Sequence, residues 1–291
     1  MMVDQINNHY HYLLLVKRCH LVDDYYVSNL VLMKANMGSN GMMTKTESAI
    51  NEGRTLFPTK TKSAAVLGKT ENVLKIPGKG NKLGRRITKG KWKGFKIFLL
   101  TLEERVTCPS SCFHWSTCYG NNMPFATRYV VDVWLLHRIW KELTILQRKN
   151  PRGFAIRLHI LGDFFSVEYV EFWRKALNAF PALRIWGYTG RIDKDDPVHV
   201  ALSSLRRDES RFRIRWSGDV SSPKSALSYD NVEVRRMVEE KEAFLCPEQQ
   251  GKTESCATCC GCWENWDTLG MKHRDFSHRG CQTKPVVFTT H

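Results

Sequence analysis

From Phe154 onward the chain repeats one unit: a short apolar run, a polar turn, then an amphipathic stretch ended by proline or charge. GFAIRLHILGDF places Phe154, Ile156, Leu158 and Ile160 at alternate positions and predicts a strand. Ser166 can cap a helix whose stripe is Val170, Trp173 and Leu177, stopped by Pro181. Leu183–Gly190 predicts a second strand, Pro197–Arg207 a helix opened by Asp196 and Pro197, and Arg211–Gly218 a third strand. Upstream, KIFLLTL from Lys96 fits a buried strand. The stretch from Asn121–Pro124 to about Gln147 fits a helix, with Tyr129, Val133, Leu136, Trp140 and Leu143 at helical spacing. Downstream come a polar loop, a short helix near Asn231–Lys241 and a last strand at Pro285–Thr290. Strands alternating with helices imply a parallel sheet with both faces covered. The expected fold class is α/β, a partial or irregular (β/α) barrel-like parallel sheet with a cysteine-rich C-terminal segment, since too few units are visible for an eight-fold barrel.

The chain has 291 residues, 42% apolar and 25% charged, the profile of a globular protein. At this length roughly 75% of the unfolded surface can be buried, so no cross-links are needed to hold a core. The longest apolar run considered, Tyr12–Val16, falls far short of the roughly 20 residues of a membrane span. It is also too short for a secretory signal and ends in Lys17, Arg18 and Cys19. Membrane protein, collagen and coiled coil are excluded, and a cytoplasmic location is expected. Residues 1–50 read as a poorly structured extension ending in an MGSNGMM linker, with Met42 or Met43 as an alternative start. Residues 51–98 form a basic Gly/Lys-rich segment, 99–245 the α/β core, and 246–291 a cysteine-rich segment with the last strand.

The formal net charge of +15 is local in origin. Nine Lys and Arg and no Asp or Glu lie between Lys75 and Lys96, and removing those nine takes +15 to +6. Within this segment Lys79, Lys82, Arg85, Arg86, Lys89, Lys91 and Lys93 could track a phosphate backbone, with Trp92 and Phe95 stacking on bases. A solvated basic loop or hairpin is the alternative. The expected partner is nucleic acid or a nucleotide, with no membrane contact.

The ten cysteines, in a chain without an export signal, point to metal ligands rather than disulfides. Cys108, Cys112 and Cys118 are spaced C-x3-C-x5-C. Cys246 and the C-x2-C-x2-C triplet Cys256, Cys259 and Cys262 supply a second, four-ligand set, with Cys260 supernumerary and Cys19 and Cys281 standing apart. Thiolates suit zinc or iron–sulfur centres. Three cysteines on one loop can hold three irons of a 4Fe–4S cluster and leave the fourth open to a substrate or to S-adenosylmethionine. With His114 they could instead make a Cys3His zinc site. Several predicted strands end in polar residues: Asp163, Tyr188 and Thr189, Ser217 and His291. Ligands of parallel α/β folds sit beyond such ends, and the first cysteine loop also follows a strand. Asp163, Tyr119 and Asn121 are candidates to bind a cofactor. Asp163, Tyr188, Thr189, Ser217 and His291 are candidates to line a catalytic pocket. Arg157 and His159 share one strand face and can point inward.

The motifs GNKLGRR, TLEERVTCPSSCFHWSTCYGNNM, RLHILGDFFSVEYVEFW, PALRIWGYTGR and CPEQQGKTESCATCCGCW resemble an uncharacterised phage and prophage family, the gene-product-eighty-eight-like proteins, from roughly Leu56 to His291. In outline that family is similar to radical S-adenosylmethionine enzymes, with a three-cysteine loop after the first barrel strand and a C-terminal cysteine cluster. Those enzymes commonly space the loop C-x3-C-x2-C, whereas five residues precede Cys118 here. Two functions are therefore expected: an iron–sulfur enzyme with one or two 4Fe–4S clusters acting on nucleic acid or a nucleotide, or a zinc-braced basic nucleic-acid-binding protein without catalysis. A Mg²⁺-dependent nuclease lacks the clustered carboxylates it needs.

Overall fold

The computed structural model describes residues 60–112, 114–115, 118–123, 125–219, 225–263 and 285–289. The expected N-terminal extension, Cys19, Cys281 and His291 lie outside them. In chain order the strands are β1 (Thr61–Lys62), β2 (Lys96–Leu99), β3 (Arg128–Tyr129), β4 (Phe154–Leu158), β5 (Leu183–Thr189), β6 (Phe212–Ser217), β7 (Ser225–Tyr229), β8 (Phe244–Leu245) and β9 (Val286–Thr289). The helices are α1 (Val133–Lys149), α2 (Val167–Ala179), α3 (Pro197–Asp208), α4 (Asn231–Glu239) and α5 (Cys256–Cys259). Seven strands form one sheet in the order β2-β4-β5-β6-β7-β9-β8, every pair parallel, and β1 pairs with β3 apart from it. The expected α/β class holds. Among the described residues no pairing joins β2 to β8, so the sheet is open. Basic segment, core and cysteine-rich segment all contribute strands to it.

Both faces of the central strands are buried, which is why β4 is buried at all five positions instead of alternating. One face carries the helices: His199 of α3 stacks on Trp216 of β6, and Phe164, just before α2, meets Phe212 edge-on. The other face carries Ile97, Ala155 and Trp186, packed against Trp92, Ala257 and Trp263. The cysteine-rich segment therefore acts as a covering layer on the second face. At Gly187 the backbones of β4 and β5 come so close that a Cβ would lie 1.4 Å from the Leu158 carbonyl oxygen.

The caps follow the sequence. Asp132, Ser166, Asp196 and Asp230 each accept a first-turn N–H of α1, α2, α3 and α4. The expected helical start after Asn121–Pro124 is corrected: Tyr129 belongs to β3, and α1 opens only after Asp132, whose side chain takes the Leu135 N–H at 2.8 Å. The polar loop after Gly218 contains β7, a short polar strand that apolar patterning could not show. The shared face of Arg157 and His159 is also corrected. β4 stops at Leu158, and His159 packs among Phe164 and Tyr169 on the helical side.

His159 is buried with Nε2 2.9 Å from the Tyr169 hydroxyl and Nδ1 without a partner among the described residues. Burial, aided by the Arg157 charge, pushes it down to about 3. A folded-state pKa below the unfolded one gives stability that is full above about pH 6.5 and is lost as pH falls toward 3. With roughly 1.4 kcal/mol per unit, up to about 5 kcal/mol is at stake. Denaturant unfolding at stepped pH should show His159→Gln losing stability less steeply than wild type below pH 6.5; parallel curves would refute the assignment.

Candidate metal centre

The first cysteine loop leaves β2 through buried Leu100 and Leu102 and is tied down before its first cysteine. Thr107 Oγ1 donates to the Glu103 carbonyl at 2.8 Å and accepts the Asp163 N–H at 3.0 Å. Glu104 and Arg128 form a buried bidentate pair at 2.8 and 3.1 Å, and Arg128 also donates to the carbonyls of Gly120, Met123 and Ala126. This guanidinium gathers the end of the loop around a charge that water does not reach. Each rim sulfur is approached by a backbone N–H: Cys108 by that of Arg105, Cys112 by that of His114, and Cys118 by that of Gly120 at 3.4 Å. Such donors favour the thiolate form. Burial outweighs them: it pushes Cys108 well up, Cys112 to about 11, and Cys118 upward, with Asp163 adding to the first two and Arg105 drawing the last two back.

Asp163 lies where β4 gives way to α2. It accepts the Phe164 N–H at 2.7 Å and the Thr189 hydroxyl at 2.7 Å on Oδ1, and the Gly190 N–H at 2.6 Å on Oδ2. Burial raises it to about 6 against those three hydrogen bonds. Arg191 closes the other side, donating to the carbonyls of Phe164 and Thr107 and pairing with Asp196. Three polar elements thus meet at the carboxyl ends of β4 and β5, beside Cys108 and Cys112.

The second set lies on the sheet face away from the helices. Cys246, Cys256, Cys259 and Cys262 line one cavity together with Glu248 and Trp263. Cys260 is directed elsewhere, its thiol donating to the Ala257 carbonyl at 3.2 Å, as expected for the supernumerary cysteine. Backbone N–H groups of Gln249 and Glu248 point at Cys246. Burial raises Cys246 to about 11 and Cys256 well above its usual range, and the neighbouring thiols push the same way. Beneath them the sheet offers cations. Arg157 stacks on Tyr188, 4.4 Å from the ring centre, and Arg215 reaches the carbonyls of Cys262 and Gly261. The Tyr188 hydroxyl lies 3.0 Å from Cys262 Sγ.

The expected single pocket is thereby divided. Thr189 joins Asp163 and the first loop as expected, whereas Tyr188, one residue earlier on β5, points to the opposite face and belongs with the second set. Ser217 ends β6 beside Ala226 of β7. Asn121 Oδ1 accepts from Arg105 at 2.8 Å, and Tyr119 is half-exposed beneath Lys82. Trp92 is corrected: it is buried and stacked on Trp263 at 5.9 Å, so it has no face for a base. Among the described residues no group of three or more His, Cys, Asp or Glu side chains stands in a geometry that holds a metal ion. The donor chemistry nonetheless fits one: soft sulfurs, amide donors aimed at them, and buried cations beside four of them. Sequence reading missed Arg105, Arg128, Arg215 and Trp263. Only the alternation of Arg213 and Arg215 with Ile214 and Trp216 signalled a cationic sheet face.

The chain is similar to a phage protein. The Gene 88 protein of Mycobacterium phage L5 is 29% identical over 157 residues, covering 46% of this chain and 58% of that protein. The chain therefore matches less than two thirds of that relative's length. No family model and no solved structure matches it. No helix among the described residues is long and apolar enough to cross a membrane.

Removing one partner of a buried ion pair costs about 3–5 kcal/mol. Arg128→Met should lower stability by that order in denaturant melts and speed thiol labelling of Cys118 in the native state. Unchanged labelling would mean that Arg128 does not hold the loop.

Proposed function

We propose that this chain is a thiolate-ligated metalloenzyme of phage type, with an iron–sulfur centre on Cys108, Cys112 and Cys118, acting on nucleic acid or a nucleotide. The observation that carries this reading is the placement of the amide-supported thiols Cys108 and Cys112 beside the buried acid Asp163 at the carboxyl ends of β4 and β5, with Cys118 on the same loop. Bound there, such a cluster supplies one-electron chemistry and an iron with an open position, to which S-adenosylmethionine or substrate can bind. The chain's own residues do the rest. Asp163, held by Thr189 and Gly190, keeps or releases a proton near neutral pH, since burial lifts it to about 6. Arg105 offsets negative charge at Cys112 and Cys118, and Arg191 fixes the Asp163 turn against the loop. Cys246, Cys256, Cys259 and Cys262 form a second, closed centre.

A zinc-braced binding protein is the second reading, favoured by the four cysteines that line one cavity, the number of donors a structural zinc takes. Air-protected purification separates the two. Brown protein containing iron and acid-labile sulfide is expected, and Cys112→Ala should lose only the rim centre's share of iron. Colourless protein with stoichiometric zinc would refute the enzyme reading. Loss of all iron in the variant would refute two independent centres.

A further inference from the structure

The basic segment is not a free tail. It folds back as a hairpin against β2: Ile97 N–H donates to the Arg85 carbonyl at 3.0 Å, Ile87 N–H to the Phe95 carbonyl at 3.0 Å, and Gly94 N–H to the Ile87 carbonyl at 2.7 Å. Its apolar residues Leu83, Ile87 and Trp92 are buried, while all nine cations from Lys75 to Lys96 are exposed. None of the nine makes an ion pair among the described residues.

The hairpin is also stitched to the cysteine segment. The Cys256 N–H donates to the Lys82 carbonyl at 2.7 Å, Ala257 N–H to the Leu83 carbonyl at 3.0 Å, and Thr88 N–H to the Ala257 carbonyl at 3.0 Å. Gly84, at φ +71°, sits so close to α5 that a Cβ would lie 2.7 Å from the Ala257 Cβ and 2.8 Å from Ser255 Oγ. Trp92 stacks on Trp263, the residue after Cys262. At the same place Lys82 Nζ lies 5.7 Å over the ring of Tyr119, the residue after Cys118. One ribbon of cations is thus pinned by its backbone to the second cysteine set and reaches the first by a side chain.

From this we infer that the ribbon Lys75–Lys96 is a track for the phosphate backbone of polymeric nucleic acid, and that its shape, and so its grip, depends on the filled four-cysteine centre. The inference rests on the metal reading above and narrows its substrate class from nucleic acid or a nucleotide to the polymer. A lone nucleotide spans only a fraction of a nine-cation ribbon. With Trp92 buried against Trp263, the ribbon offers phosphate contacts without an indole for base stacking. Binding is therefore indifferent to sequence, steep in salt, and tighter for duplex than for a single strand of equal length, because duplex carries the denser charge.

Fluorescence anisotropy with a short labelled DNA duplex, read across about 50 to 200 mM salt, tests this on metal-loaded protein. Lys89→Gln/Lys91→Gln/Lys93→Gln should reduce the slope of log affinity against log salt by roughly 2–3, near 0.9 per lost contact. Gly84→Val keeps every charge yet should weaken binding at least tenfold by lifting the ribbon off α5. Cys259→Ser, with its residual metal measured, should weaken it similarly. Thermal melts identify a variant that has merely unfolded; if Gly84→Val does, stripping metal from wild type by chelation replaces it as the charge-neutral arm. An unchanged salt slope in the triple variant overturns the track. Metal loss with full affinity overturns the coupling. Tight, salt-steep duplex binding by a protein that never held metal refutes the metal reading and the coupling but leaves the track standing.

Discussion

Arg157 is the constraint around which the middle of the molecule is organised. It projects from the second-last position of a strand buried on both faces, and burial pulls its pKa down. Its side chain donates to the Leu158 carbonyl at 2.6 Å, and among the described residues no ion pair to a carboxylate relieves it. Leaving a guanidinium so placed costs several kcal/mol unless something else answers the charge. The groups that hold its pKa up are Tyr188, Cys256, Cys262 and Tyr119. The sheet therefore presents positive charge to the sulfurs packed above it. On the metal reading proposed above, thiolates would answer that charge in a way that neutral thiols do not.

This arrangement explains why the cysteine-rich segment packs on the sheet instead of hanging from it. Trp263 inserts between Trp92 and Trp186, with ring centres 5.9 and 4.6 Å away, and buries the junction of hairpin, sheet and cysteine turn in one apolar cluster. β9 then threads between β7 and β8, so the chain on both sides of the segment is fixed to the same sheet.

Much of the frame was legible. The strand–helix rhythm from Phe154 to Gly218 places β4, β5 and β6 and two of their helices because each apolar run is long enough to be buried and each helix has its cap. That Cys246, Cys256, Cys259 and Cys262 line one cavity while Cys260 turns away was legible in their spacing. β7 was hidden because Ser225–Tyr229 is half polar and lies at a sheet position where pairing, not patterning, makes the strand. Trp92 misled because an aromatic among lysines suggests base stacking, while its true partner, Trp263, is distant in sequence. Tyr188 and Thr189 were assigned to one pocket although neighbours on a strand face opposite ways, a rule that needs no structure to apply. The first half of the chain's buried polar frame, Glu104 with Arg128, has no local pattern that could announce it.

Each cysteine set can be weighed by the charges that surround it. Around Cys108, Cys112 and Cys118 the nearby ionisable groups are Asp163, which pushes the first two thiols up, and Arg105, which draws the last two back; Glu104 is already answered by Arg128. Three thiolates and a carboxylate against one guanidinium leave a strong deficit of positive charge, which favours a ligand bringing several positive charges or a bound group with a cationic end. Around the second set, four thiolates and Glu248 face Arg157 and Arg215, so this set once ionised is short of positive charge by as much as the first. Charge therefore does not separate the two sets; position does, the first lying at the carboxyl ends of β4 and β5 beside a buried acid and the second packed over the sheet face with Trp263.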